Sequence, residues 1–66
     1  MRIEVEHGDE LLVVESDEQI TIREVLKQLE IPSSTVLAVF GDSIVPHTSE
    51  ISDDIRLELV VVSSGG

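Results

Sequence analysis

The 66-residue sequence contains no cysteine, tryptophan or tyrosine, and its single phenylalanine is Phe40. Without cysteine, neither a disulfide nor a thiolate metal site can stabilise the fold, so a domain this small needs a dense aliphatic core. Hydrophobic residues, mostly valine, leucine and isoleucine, supply 41% of the sequence. The composition therefore predicts one small folded domain rather than a disordered chain.

Positive charge is also scarce, with 4 basic residues against 14 acidic ones and a net charge of −10. Nucleic acids and anionic membranes are bound by cationic surfaces, so direct binding to either is excluded. A basic protein partner is favoured, because complementary fields speed encounter. No apolar run approaches bilayer length, and Met1 leads into a strand pattern rather than a signal peptide. We therefore expect a soluble, cytoplasmic protein.

The apolar pattern predicts two strands, a helix and three more strands. Alternating residues indicate a hairpin over 1–15, turning at Gly8. Thr21 and Glu24 have the spacing of a capping box that begins a helix, and Pro32 ends that helix. The remaining strands are predicted at 35–40, 44–45 and 55–62, after polar segments that include 16–19 and 47–54.

This β-β-α-β-β-β order predicts an α+β domain over residues 1–62. A single helix buries its one apolar face on one side of a mixed sheet. The first and last strands are both strongly apolar, and we expect them to lie side by side at the sheet centre. Leu12 and Val14 are expected in the core. The arrangement is that of a β-grasp fold.

After Val62 the apolar pattern gives way to Ser63-Ser64-Gly65-Gly66. Residues with nothing to bury are expected to project as a flexible tail over 63–66. The ordinary interpretation is a frayed or trimmed end. The chemical interpretation is that another enzyme activates the Gly66 carboxylate, whose unhindered carbonyl then accepts a sulfur or amine nucleophile.

A docking tail needs help from the folded body, because ordering its residues costs roughly 1–2 kcal/mol of backbone entropy each. Strand alternation suggests where that help lies. We predict an apolar surface facing away from the helix, anchored by Phe40 and built from Phe40, Ala38, Val60, Val62 and Glu58. Scattered apolar side chains are also ordinary on protein surfaces.

The strand and helix order, the segment VLAVFGDSIVP at 36–46 and the terminal Gly65-Gly66 together resemble the ubiquitin-like sulfur-carrier and modifier proteins. Within that group, the short length is similar to ThiS carriers, to bacterial tRNA-thiolation carriers and to small archaeal modifier proteins. MoaD, the small subunit of molybdopterin synthase, is usually longer. The resemblance covers the whole chain.

The resemblance implies a carrier rather than an enzyme. An E1-like enzyme would use Mg-ATP to adenylate Gly66, and sulfur transfer would then give a thiocarboxylate for tRNA thiolation or cofactor synthesis. In modifier members, Gly66 instead forms an isopeptide bond with a target lysine. The implied partners are the activating enzyme, a sulfur-acceptor enzyme and target proteins. ATP belongs to the activating enzyme, because this chain has no phosphate loop.

Two departures narrow the subtype. ThiS proteins often carry asparagine near the position of Phe40, and commonly Pro-Arg where this chain has Pro46-His47. Both departures argue against a role in thiamine synthesis. Lys27 is the only lysine and therefore the only internal side-chain amine that can accept Gly66 of another copy. Its ordinary role is that of a solvated charge.

Intrinsic chemistry has little support in the sequence. His7 and His47 lie in separate turns without metal-ligand spacing, and the acidic residues after Ser49 do not match a calcium loop. No nucleophile-elbow motif accompanies the serines. We therefore expect no metal, no cofactor bound by this chain and no catalytic residue.

Two other functions remain open. The domain can act as a β-grasp interaction module that binds partners through its sheet and never uses its terminus chemically. It can also act as a regulatory or antitoxin-like acidic mimic, which predicts tight binding to a basic partner that is lost in salt.

The charge balance makes a prediction about stability. Self-repulsion opposes compaction, and raising NaCl shortens the Debye length from about 8–10 Å to about 3 Å at 1 M. We expect the melting temperature, followed by circular dichroism, to rise between low salt and molar NaCl. A melting temperature that stays flat or falls over this range contradicts the prediction.

Overall fold

A computed structural model describes residues 1–62, and the predicted tail over 63–66 lies outside these described residues. No helix in residues 1–62 is long and apolar enough to cross a membrane. The elements, in chain order, are β1 (Arg2–His7), β2 (Glu10–Glu15), β3 (Ile20–Thr21), α1 (Ile22–Gln28), a 3-10 turn (Ser33–Thr35), β4 (Val36–Phe40), β5 (Ser43–Val45), β6 (Glu50–Ile51) and β7 (Ile55–Val61).

Five strands form one mixed sheet in the order β2-β1-β7-β4-β5. β7 is the middle strand, and it pairs parallel with β1 and antiparallel with β4. The outer neighbours, β2 and β5, close antiparallel hairpins. The predicted side-by-side placement of the first and last strands is confirmed, and so is the β-grasp arrangement.

The core lies between one face of this sheet and the helix. α1 buries its predicted apolar stripe, Ile22, Val25 and Leu26, and Leu29 packs against the core from its edge. The sheet contributes buried side chains at alternate positions of its strands: Ile3, Val5, Val14, Val36, Ala38, Leu57 and Leu59. Val14 is in the core as predicted, whereas Leu12 is only half-buried and packs against the core.

A second, smaller sheet departs from the predicted loops. β3 and β6 pair antiparallel, with Ile20 opposite Ile51, and both isoleucines are buried. The 47–51 segment also caps the start of the helix. The amide of Ile22 donates to the backbone carbonyl of Ser49 at 3.1 Å, and the amide of Arg23 donates to the backbone carbonyl of His47 at 2.9 Å. These bonds satisfy amide groups that have no partner within the helix itself.

The helix begins at the predicted cap. The amide of Glu24 donates to the Thr21 hydroxyl oxygen at 3.2 Å. The return bond of a full capping box, from the Thr21 amide to the Glu24 carboxylate, is absent from the side-chain hydrogen bonds of residues 1–62. Thr21 instead belongs to β3, opposite Glu50.

The helix ends before Pro32, through a reversal of the backbone at Glu30. The amide of Ile31 donates to the Leu26 carbonyl at 2.9 Å and that of Glu30 to the Lys27 carbonyl at 3.1 Å. This is the hydrogen-bond pair of a Schellman motif, which places its C′ residue in the left-handed region. Glu30 occupies that position with φ of 60°. Glycine is the usual residue there, because a side chain costs free energy in this conformation.

The left-handed Glu30 predicts a stabilising substitution. Glu30→Gly should raise the free energy of unfolding by about 1 kcal/mol, because it relieves the backbone cost of a side chain at positive φ. For a domain of this size, that gain corresponds to a rise in melting temperature of about 4–8 °C. Glu30→Gln is the matched control, since it removes the same charge and keeps the side chain. Equal stabilisation by both variants would assign the effect to charge and contradict the backbone explanation.

Candidate functional site

The described chain ends just past the end of β7, the middle strand of the sheet. The amide of Val62 donates to the carbonyl of Thr35 at 2.8 Å, which extends the pairing of β7 with β4 by one residue. Residues 63–66 are therefore joined to the body beside the start of β4. The predicted activated residues, Gly65 and Gly66, lie outside the described residues.

Beside this end of β7, the sheet face that points away from the helix carries an apolar surface. Val60 lies directly opposite Leu37, and Val39 lies opposite Ile44 on the next strand. Ile44 is 66% exposed and Val60 is 40% exposed. Val62 continues the outward alternation of β7 and is also exposed. We call these five residues the outward patch: Leu37, Val39, Ile44, Val60 and Val62.

Acidic side chains border the outward patch along β1 and β7. Glu58 is exposed and lies between Val39 on one side and Glu6 of β1 on the other. Glu6 forms an ion pair with Arg56, and Arg2 pairs with Glu4 at 3.4 Å. Neither of these ion pairs of the described chain involves Glu58. An apolar surface with carboxylates at its border fits a partner that is apolar at the centre of its contact and basic at the rim.

The structure corrects the predicted orientation of β4. Ala38 is completely buried, so the expectation that it belongs to the surface facing away from the helix is wrong. Ala38 lies opposite buried Leu59, and alternation puts Phe40 on the same, helix-facing side. Phe40 is 53% exposed, because it lies at the end of the strand. It is therefore exposed as predicted but separated from Val60 and Val62.

Three residues of the outward patch escaped the sequence analysis: Leu37, Val39 and Ile44. The segment VLAVF is apolar at every position, so its alternation has no polar residue to set the phase. Pairing with β7 sets the phase instead, since Leu59 faces the core and so must its partner Ala38. The sequence signal that could have joined Val39 to Ile44 is the hairpin loop at Gly41-Asp42. A two-residue loop places Val39 opposite Ile44.

The other predicted positions lie away from the outward patch. Lys27 is exposed on the helix, where it lines a shallow hollow with Arg23, Ile31 and Ser33. Within residues 1–62, no three histidine, aspartate or glutamate side chains come together in a way that could hold a metal ion. These positions therefore add nothing to the outward patch, which can supply contact area to a partner.

Comparison with known proteins gives one family and no individual relative. The model described as the ThiS family matches residues 3–66. No curated protein matches the chain. The matched region takes in the sheet except for Arg2, the helix, the outward patch and both terminal glycines. The β-grasp architecture is the one that this family has. The chain therefore belongs to the ThiS family of small ubiquitin-like sulfur carriers, which are carrier proteins rather than catalysts.

Proposed function

We propose that this protein carries sulfur on the carboxylate of Gly66, after an E1-like enzyme has activated that carboxylate with Mg-ATP. The observation that carries the proposal is the ThiS-family match, which extends through Gly65 and Gly66. The position of Val62 supports it, because the chain beyond this residue starts beside the outward patch. The activating enzyme can thus grip the sheet and the terminus together.

The proposed reaction has two steps. The Gly66 carboxylate attacks the α-phosphorus of ATP, which releases pyrophosphate and leaves an acyl-adenylate. A hydrosulfide equivalent then attacks the acyl carbon, AMP leaves, and a thiocarboxylate remains. Glycine suits both steps, since the absence of Cβ leaves the carbonyl open and lets the chain enter a narrow channel. The thiocarboxylate then donates its sulfur to a tRNA base or to a cofactor precursor held by a second enzyme.

The folded body must also bind the activating enzyme, because ordering the tail loses conformational entropy. Fixing four residues costs roughly 4–8 kcal/mol of backbone entropy, and this short segment has no large side chain to compensate. The outward patch can compensate, since each fully buried aliphatic side chain contributes about 1.5–3 kcal/mol. The patch therefore sets affinity for the activating enzyme, and the tail supplies the reacting group.

The same acyl-adenylate can also react with an amine. Attack by a lysine would form an isopeptide bond between Gly66 and a target protein, with AMP as the leaving group. Lys27 is exposed and is the only lysine of this chain, so any lysine-linked chains of this protein must pass through it. Conjugation is the secondary branch of the proposal, and thiocarboxylate formation does not depend on it.

Removal of Gly66 tests the chemical part of the proposal. The protein is incubated with its cognate E1-like enzyme, Mg-ATP and sulfide, and its intact mass is measured. The full chain should gain the mass of one oxygen-to-sulfur exchange. A chain lacking Gly66, or one extended by an added alanine, should gain none. In each variant the terminal carboxylate is displaced by one residue from the position that the adenylation site requires.

Binding measured in parallel separates the carrier from a simple interaction module. A module would bind its partners equally well with and without Gly66, and neither form would show the mass gain. Failure of the full chain to be thiocarboxylated by its cognate E1-like enzyme, under conditions where that enzyme activates another carrier, would contradict the proposal. The intact mass of the protein from its native cells supplies the companion check, since a mature chain continuing past Gly66 would also contradict it.

Two valines with nearly equal exposure test the docking part. Val60 in the outward patch is 40% exposed, and Val13, outward on edge strand β2, is 41% exposed. Val60→Asp should lower kcat/KM for adenylation by at least about tenfold, mainly through KM, because it places an unpaired charge inside the contact. Val13→Asp adds the same charge and likewise replaces a valine, which favours β-strands, by an aspartate, which does not. It should change kcat/KM by less than about twofold, and equal losses in the two variants would contradict a role for the outward patch.

A further inference from the structure

Phe40 lies in an open hollow on the opposite side of the sheet from the outward patch. The hollow has a volume of about 250 Å³ and is lined by Phe40 and by residues 50–55. Its apolar floor comes from Phe40, Ile51 and Ile55, of which Ile51 belongs to the core. An aromatic side chain that is 53% exposed, beside an apolar floor, is the kind of surface that binds a partner side chain.

The charge around this hollow has one sign. Glu50, Asp53 and Asp54 line it, and Asp42 follows in the hairpin loop just after Phe40. Arg2 and Arg56 are the nearest basic residues, since they line an adjacent hollow that shares Asp54 and Ile55, and the backbone amide of Arg2 donates to Asp54 Oδ1 at 2.7 Å. Arg2 and Arg56 pair with Glu4 and Glu6, and Arg23 and Lys27 line the hollow beside Ile31. The hollow at Phe40 therefore has an apolar floor and an acidic border, and within residues 1–62 no basic side chain lines it.

We propose that the Phe40 hollow is a second docking surface, which binds a basic segment of a partner protein with an aliphatic side chain between two arginines or lysines. The aliphatic side chain fills the hollow, and the cations reach Glu50 and Asp53 at its border. An arginine can also stack on the Phe40 ring as a cation–π contact. Phosphate-bearing partners, such as nucleic acids and anionic lipids, are repelled by the same carboxylates.

The hollow and the outward patch can be occupied at the same time. Phe40 is at one end of β4, and the bond from Val62 to Thr35 is at the other. Five residues of strand separate Phe40 from this bond by about 16 Å. Val39 and Ile44 of the outward patch lie near Phe40 along the strands, but they face the opposite side of the sheet. A partner in the Phe40 hollow can thus hold the carrier while the activating enzyme occupies the outward patch. Binding at the Phe40 hollow requires no reaction at Gly66, so it is independent of the sulfur-carrier proposal.

A short synthetic peptide is the probe that tests the surface. Acetyl-KRLRK-amide is titrated into the 15N-labelled full chain at low salt, and amide chemical shifts are followed by NMR. We expect a dissociation constant on the order of 1 mM, with the largest shifts at Phe40 and over residues 50–55. The peptide with serine in place of leucine should bind at least about fivefold more weakly, because it cannot fill the apolar floor.

Matched variants separate the hollow from general attraction to an acidic protein. Phe40→Ala should weaken binding of the leucine peptide by about fivefold. Leu11→Ala is the control, since Leu11 is 50% exposed on the other face and its loss should leave binding unchanged. Asp53→Asn removes one border charge without touching the apolar floor, so it gives an independent reading if Phe40→Ala disturbs folding. It should weaken binding by about twofold to threefold.

Several outcomes overturn the proposal. One is equal binding of the leucine and serine peptides, which would reduce the effect to net charge. Another is shifts concentrated at Leu37, Val39 and Ile44 instead of at Phe40. A third is shifts at Phe40 and residues 50–55 that depend on protein concentration without peptide, which would make the hollow a contact between copies of this chain. The peptide result is unchanged by deletion of Gly66 if the proposal holds, so failure of the carrier chemistry and failure of this surface are distinguishable.

Discussion

The parallel ladder between β1 and β7 joins the two ends of the described chain. It pairs Ile3 with Ile55 and Val5 with Leu57, and all of these except the half-buried Ile55 are buried in the core. Parallel strands cannot be joined by a tight turn and require a long connection. Here everything between β1 and β7 forms that connection, including the helix that covers the sheet. Because β7 is thereby held in the middle of the sheet, its last residues pair with β4, and the described chain ends at Val62 beside Thr35.

The register of the same ladder determines which side chains lie on each face of the sheet. With Leu57 and Leu59 facing the helix, Glu58 and Val60 must face outward. Pairing with β4 then turns Leu37 and Val39 outward and leaves Phe40 on the helix side. The apolar surface near the terminus and the acidic hollow at Phe40 are therefore consequences of one register. A shift of one residue would exchange the two faces.

The sequence predicted those parts of the fold that have a periodic signal. Alternation in β1, β2 and β7, the cap at Thr21 and the stripe on α1 were sufficient for the β-grasp order. The β3–β6 pair was missed because two residues per strand carry no period. The phase of β4 was predicted wrongly because VLAVF is apolar throughout, and only its partner strand distinguishes its two faces. That error joined Phe40 to Val60, whereas the structure assigns them to different surfaces.

In the proposed complex, the activating enzyme binds the outward face of the sheet while it acts on the terminus. Methyl cross-saturation NMR of the labelled carrier in complex with its unlabelled, cognate E1-like enzyme measures this contact directly. We expect signal loss to be weak at Ile51 and Ile55 beside Phe40 and strongest at the methyl groups of the outward patch: Leu37, Val39, Ile44, Val60 and Val62. Signal loss concentrated at Ile51 and Ile55, or on the exposed side of the helix, with the outward patch unaffected, would contradict the proposed complex.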